Sequence, residues 1–179
     1  MAHAAAGGRG LVTLVLGGAS SGKSRYAESL IARAPKPWIY IATAEARDEE
    51  MAARIKAHQA RRAGGWEKTV EAPHDLPDAV GDAPANAAVL VDCLTFWLSN
   101  LMEGYFDVGA QTARLLEALK GRAGPTVLVS NEVGYGIVPD NALARRFRDL
   151  QGELNQKIAA EAERVVVVVA GIPVAVKSP

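Results

Sequence analysis

The chain has 179 residues, 49% of them apolar and 22% charged, with 20 Lys and Arg against 20 Asp and Glu. That composition suits one soluble α/β domain with a sizeable core, and a net charge of zero gives no electrostatic case for a nucleic-acid or membrane-surface partner. The lone cysteine, Cys93, excludes an internal disulfide and a multi-cysteine zinc site, and fits a reducing cytoplasm.

Residues 1–10 are small and read as a flexible tail, leaving residues 11–179 as a single domain. The apolar run from Leu11 to Leu16 is too short for a membrane span and reads as a buried strand. A glycine-rich turn follows, then a helix from about Lys23 to Ala34, stopped by Pro35 and Pro37. Trp38 to Ala42 reads as a second strand. The spacing of Met51, Ile55, His58 and Arg62 predicts a helix over 47–62 with these residues on one face. Asp48, Glu49 and Glu50 lie in its first turn, where the helix dipole favours anions.

Trp66 to Val70 reads as a short strand, and residues 72–88 as loops with a short helix. Ala88 to Val91 is a third buried strand ending at Asp92, followed by a helix over 95–102 in which Phe96 and Trp97 are read as core. A helix over 112–119 and a strand over 126–130 come next. The longest helix spans 141–164, with an apolar stripe of Leu143, Phe147, Leu150, Leu154 and Ile158. Val165 to Val169 is a valine core strand. Residues 171–177 form an edge strand, because Pro173 cannot donate to a central ladder. Apolar strands alternating with helices predict a mostly parallel sheet covered on both faces.

Gly17-Gly-Ala-Ser-Ser-Gly-Lys-Ser24 matches the phosphate-loop pattern G-x-x-x-x-G-K-[ST]. Its glycines let successive backbone N–H groups converge on one anion, and the next helix aims its N-terminus at the same phosphates. Lys23 supplies a point charge to the β- and γ-phosphates, and Ser24 offers a hydroxyl to Mg²⁺. Binding of ATP or GTP follows.

Such a site uses a second oxygen ligand for Mg²⁺, and Asp92, at a strand's carboxyl end, is the candidate; the bland reading is a helix cap. Glu132, at the end of the next strand, is divided between a catalytic or metal-linked role and simple loop structure. From spacing alone His58 reads as a half-buried helix histidine, the alternative being a nucleophile toward an α-phosphate. Arg145, Arg146 and Arg148 read as a solvated basic face, Cys93 as a small buried hydrophobe, His74 as a loop residue and His3 as part of the tail.

Four further segments join the phosphate loop: Glu49-Glu-Met-Ala-Ala-Arg-Ile55 with His58, Val91-Asp-Cys-Leu-Thr95 with Ser99-Asn-Leu101, Val129-Ser-Asn-Glu-Val-Gly134 with Gly136-Ile-Val-Pro139, and the run from Leu143 to Asp149 with Leu154-Asn-Gln156 and Val168-Val-Ala-Gly171. With them the chain, from Leu14 to Lys177, resembles the bifunctional adenosylcobinamide kinases and adenosylcobinamide-phosphate guanylyltransferases of cobalamin biosynthesis. The resemblance implies a RecA-like P-loop fold and a homotrimer. It implies phosphorylation of the aminopropanol hydroxyl of adenosylcobinamide by ATP or GTP. It then implies transfer of GMP from GTP through a guanylylated histidine, His58, releasing pyrophosphate and giving adenosylcobinamide-GDP. It also implies GTP contacts at Thr43, Ala44 and Glu45, at Gln59, Ala60, Arg61 and Arg62, at Glu71 and at Asp92.

The sequence departs from that family at three points. Ser20 stands where the family often has Arg, Asp92 where some members have Glu, and Ala57 where some have a second histidine. A P-loop kinase without the guanylyltransferase step and a RecA-type nucleotide-dependent switch are the alternatives to the bifunctional reading.

Overall fold

The computed structural model describes residues 10–61 and 64–179, with the side chains of Arg54, His58 and Arg61 outside the description. The expected tail before Gly10, with His3, and the GTP contact at Arg62 therefore lie outside the described residues.

Among the described residues seven strands form one sheet: β1 (Val12–Gly17), β2 (Trp38–Ala42), β3 (Lys68–Glu71), β4 (Ala88–Asp92), β5 (Thr126–Asn131), β6 (Arg164–Val169) and β7 (Ile172–Lys177). Their spatial order is β3-β2-β4-β5-β1-β6-β7, and only the β6–β7 pair is antiparallel. β5 thus separates β1, which feeds the phosphate loop, from β4, which ends in Asp92. This is the mostly parallel sheet, covered by helices on both faces, that the sequence predicts.

Strand residues alternate between two cores, as a period of two requires. Val12, Leu14, Leu16, Ile39, Ile41, Val89, Val91 and Leu128 pack on the face covered by α3 (Leu76–Gly81), α4 (Leu94–Glu103), α5 (Val108–Lys120) and α6 (Ala142–Glu161). Val15, Tyr40, Leu90, Val127, Val129 and Val166 pack on the other face, beneath Ala27 and Ile31 of α1 (Lys23–Ile31). With apolar side chains on both faces, the inner strands carry no polar side, which is why they read as continuous apolar runs.

Several expectations shift. α1 stops at Ile31, three residues short of Ala34, and α5 starts at Val108, four before Thr112. The α5 start is set by Asp107, whose carboxylate accepts from the Ala110 N–H at 2.9 Å. Leu143, expected in the buried stripe of α6, is 68% exposed, because the first turn of that helix projects beyond the sheet's cover. Phe96, read as core, is exposed, whereas its neighbour Trp97 is fully buried and donates to the His74 carbonyl. Val169, read with the valine core, is exposed at the end of β6. No described helix is long and apolar enough to cross a membrane.

Candidate active site

The carboxyl edge of the sheet collects the predicted residues. In register, Ala42 lies between Glu71 and Asp92, Asp92 pairs with Val129, and Gly17 pairs with Asn131. Parallel strands all end on this edge, so the loops that follow them share one crevice.

The phosphate loop leaves β1 at Gly17 and turns through left-handed backbone at Ser20 (φ 55°) and Gly22 (φ 92°). The Ser21 N–H reaches back to the Gly18 carbonyl at 3.3 Å, and the Gly171 N–H of the β6–β7 turn donates to the Ser21 carbonyl at 2.8 Å. The first bond closes the loop on itself and the second ties it to the β6–β7 turn, both before any ligand arrives. No side chain caps α1 at Gly22, so its first-turn N–H groups are left for an anion. Gly18, Ala19 and Ser20 are exposed along the loop's crest, and Ser21 Oγ is buried with no hydrogen-bond partner among the described residues.

Lys23 donates to the Gly18 carbonyl at 3.1 Å. Burial pushes its pKa below the ordinary lysine value, while the Asp92 carboxylate pulls it the other way. The lysine and Asp92 thus share one electrostatic environment. Asp92 Oδ2 accepts from the Tyr40 phenol at 2.9 Å. Next to it, burial and the Asp92 charge push the Cys93 thiol up to about 12, so the sulfur is a neutral, buried group at pH 7, as the sequence predicts, and no nucleophile.

Thr43 is fully buried, and its hydroxyl donates to the Cys93 carbonyl at 2.7 Å and accepts from the Cys93 N–H at 2.8 Å. Its side chain is spent on joining the ends of β2 and β4, which fixes where Ala44 and Glu45 enter the crevice. Asn100 of α4 donates to the Thr43 and Pro73 carbonyls and accepts from Arg47 at 2.6 Å. Arg47 also pairs with Glu45 and Glu103. Those contacts pin the start of α2 (Glu49–Arg61), the helix that carries His58, and Asp48 caps it by accepting from the Met51 N–H at 2.7 Å. Among its described side chains Met51 and Ile55 are half-buried, on the face the spacing predicts, while Gln59 and Ala60 are exposed. Glu71 is exposed at the end of β3. His74 lies in a loop, with its ring 5.3 Å from that of Phe106 and Nδ1 4.0 Å from Glu45.

Glu132 lies one residue past β5. Its N–H donates to the Gly17 carbonyl at 3.2 Å, and its Oε1 accepts from Asn155 of α6, also at 3.2 Å. Of the basic cluster at the head of α6, Arg145 closes the preceding loop by donating to the Pro139 and Asp140 carbonyls. Arg148 pairs with Asp149, and Arg146 is exposed.

Tyr40, Arg47, Asn100, Gln151 and Asn155 have structural roles here that sequence reasoning did not assign. The signal for the last two was polarity inside an apolar stripe: Gln151 and Asn155 step by four along the same face as Phe147, Leu154 and Ile158.

The donor set fits a magnesium ion. Ser24 and Asp92 offer a hydroxyl and one carboxylate, hard oxygens beside a phosphate cradle, and Mg²⁺ is held by few protein groups and completed by phosphates and water. Among the described residues no group of three or more His, Cys, Asp or Glu forms an all-protein metal cage.

Comparisons with known proteins agree with this geometry. The solved structure of a Pyrococcus horikoshii OT3 protein, PH0250, superposes over 94% of this chain and 86% of its own with TM-score 0.52 and 9% identity, a likeness of fold. The bifunctional adenosylcobalamin biosynthesis protein CobP of Pseudomonas aeruginosa is 46% identical over 167 residues, covering 92% of this chain and 96% of the relative. The bifunctional adenosylcobalamin biosynthesis protein CobU of Salmonella typhimurium is 42% identical over 185 residues, covering 93% and 100%. The family described as cobinamide kinase / cobinamide phosphate guanyltransferase matches residues 13–176. The chain belongs to that cobinamide kinase / cobinamide phosphate guanyltransferase family.

Proposed function

We propose that this enzyme phosphorylates the aminopropanol hydroxyl of adenosylcobinamide with ATP or GTP, and then transfers GMP from GTP to the new phosphate through His58, giving adenosylcobinamide-GDP. The observation that carries the reading is the clamped phosphate loop, with Lys23 and Asp92 sharing one electrostatic environment at the carboxyl edge of the sheet.

In the kinase step, the loop N–H groups and Lys23 hold the phosphates, and Lys23 offsets the charge that moves onto the leaving diphosphate. Ser24 and Asp92 would hold Mg²⁺, which adds further charge neutralisation when bound. The remaining catalysis is positioning: the loop is fixed in advance by the Gly171 bond, so little ordering is left for the reaction.

In the second step, an imidazole nitrogen of His58 attacks the α-phosphorus of GTP, and the bond from that phosphorus to the β-phosphate bridge breaks, releasing pyrophosphate. An oxygen of the acceptor phosphate then attacks the same phosphorus, and the N–P bond breaks, returning free histidine. Thr43, Ala44, Glu45, Gln59, Ala60, Arg61, Arg62 and Glu71 are the proposed GTP contacts. The fastening of α2 by Arg47 supports a defined placement of the helix that carries His58. We take the enzyme to be a homotrimer, as the resemblance implies, and, from its single cysteine and zero net charge, a cytoplasmic protein without a nucleic-acid partner.

The test is covalent labelling. Incubation with Mg²⁺ and GTP labelled at the α-phosphate, followed by denaturation, is expected to leave acid-labile, alkali-stable label on the parent and none on His58→Ala. A parent that binds GTP yet takes up no label overturns the covalent step and leaves a plain P-loop kinase or switch.

A further inference from the structure

We propose that Glu132 is the carboxylate that takes the proton from the acceptor hydroxyl in the kinase step, and that Asn155 is the positioning residue that holds it there. The inference rests on the kinase reading above.

Its basis is a buried polar cluster on the α6 side of the sheet. Ser130 and Gln151 are fully buried and Asn155 is 5% exposed. The Ser130 hydroxyl donates to Asn155 Oδ1 at 2.6 Å, and Gln151 Nε2 donates to both Ser130 Oγ and Asn155 Oδ1 at 3.0 Å. With its oxygen held in this way, Asn155 is fixed in orientation, and its Nδ2 donates to the Asn131 carbonyl at 3.1 Å and to Glu132 Oε1 at 3.2 Å. The strand end is tied from the other side by Thr95, whose hydroxyl accepts from the Asn131 N–H at 2.9 Å. Among the described residues Gln151 Oε1 and Asn131 Oδ1 are buried without a hydrogen-bond partner, so the cluster is not arranged for stability alone. What it does do is hold one carboxylate.

The place of that carboxylate gives it a task. Glu132 is bonded through its backbone to Gly17, the first residue of the phosphate loop. Strand alternation puts Ser130 and Glu132 on the α6 face with Leu128, whereas α1, with Lys23 and Ser24 in its first turn, covers the opposite face. Phosphates bound by the loop are thus gripped from the α1 side and flanked by Glu132 from the other. In-line transfer needs a nucleophile on the side away from the leaving group. The chain just beyond Glu132 exposes Tyr135, Ile137 and Val138, which gives a large acceptor apolar surface beside the carboxylate.

In the step itself, the acceptor oxygen forms a bond to the γ-phosphorus, and the bond from γ-phosphorus to the β–γ bridging oxygen breaks. The nucleoside diphosphate leaves with that electron pair. The hydroxyl proton passes to the oxygen of Glu132 that Asn155 does not hold, and from there to solvent.

Kinase kinetics and nucleotide affinity should be measured on the full chain for the parent, Glu132→Gln, Glu132→Asp, Asn155→Ala and the Glu132→Gln/Asn155→Ala double variant. General-base loss predicts a kcat for Glu132→Gln lower by about 10²–10³-fold, with the ATP dissociation constant and melting temperature close to the parent's and part of the rate restored by Glu132→Asp. Asn155→Ala should lower kcat about tenfold in the parent background and not at all in the Glu132→Gln background, since it acts only through the carboxylate. A Glu132→Gln kcat within about threefold of the parent, or an equal Asn155→Ala loss in both backgrounds, overturns the proposal. A parent that binds ATP but does not phosphorylate adenosylcobinamide overturns the kinase reading itself, a separate result.

Discussion

The Tyr40 phenol and the Asp92 carboxylate meet at 2.9 Å across adjacent strands, with Tyr40 only 2% exposed. The side chain is held by packing, its ring 5.2 Å from Trp66 in an edge contact, so the hydroxyl is a fixed donor. A carboxylate with one oxygen held cannot swing away, and groups that orient a metal ligand in this way commonly contribute about ten- to a hundredfold in metal affinity. Tyr40→Phe keeps the ring and removes only the donor. If Asp92 holds the ion, Mn²⁺ binding in the presence of a non-hydrolysable ATP analogue, read by electron paramagnetic resonance, weakens by about tenfold while the fold stays intact. Unchanged Mn²⁺ affinity would mean that the Tyr40 hydroxyl orients no metal ligand.

Lys23 leads to a pH dependence. Burial lowers its pKa, so in the nucleotide-free protein its proton is lost at a lower pH than from an ordinary lysine. Bound phosphates favour the ammonium and raise the pKa again. Below the free-protein value the ammonium is already present, and affinity is flat with pH. Above it, each binding event takes up a proton, so ATP affinity falls as pH rises, by up to about tenfold per unit. Titration calorimetry in buffers of different ionisation enthalpy will show proton uptake in that range for the parent and none for Lys23→Met.

Much of this was legible because the signals are local. The glycine spacing of the phosphate loop, the apolar strands and the two carboxylates at strand ends are each written within a few adjacent residues. Strand order was not, since nothing in the chain says that β5 inserts between β1 and β4. Nor were the Tyr40–Asp92 and Glu132–Asn155 bonds, whose partners are 52 and 23 residues apart. Phe96 and Leu143 were misread for the converse reason: a helical period gives the face of a helix, but not how far the neighbouring layer extends to cover it.

Gly17 is a glycine because of what surrounds it. A Cβ there would lie 2.7 Å from the Val168 carbonyl oxygen and 2.5 Å from Ser21 Oγ. The serine can turn away, but the carbonyl belongs to a paired strand and cannot. Gly17→Ala should therefore push the phosphate loop off β6, weakening ATP binding by about tenfold or more and lowering stability by about 1–3 kcal/mol. Isothermal titration with ATP, beside thermal melting, measures both. An alanine variant that binds ATP like the parent would mean that the loop tolerates displacement at its base.

Arg122 offers a test of the scaffold apart from the chemistry. The residue is 3% exposed, and its guanidinium donates to the Val80, Ala83, Pro84 and Ala87 carbonyls and to the Thr126 hydroxyl. One planar fork thereby ties the α3–β4 connection to the start of β5, at the end of the sheet opposite the phosphate loop. Burial lowers its pKa, yet a guanidinium stays charged, so the carbonyl dipoles stand in for the lost water. Removing it strands those carbonyls in the interior. Arg122→Ala should cost about 3 kcal/mol or more, which for a chain of this size lowers the melting temperature by about 6–12 °C. Arg122→Lys should recover little, because a single ammonium cannot reach the same set of acceptors. Below its melting temperature Arg122→Ala should still bind ATP with the parent's affinity. A loss of affinity in protein that is still folded would show that the two ends of the sheet are coupled.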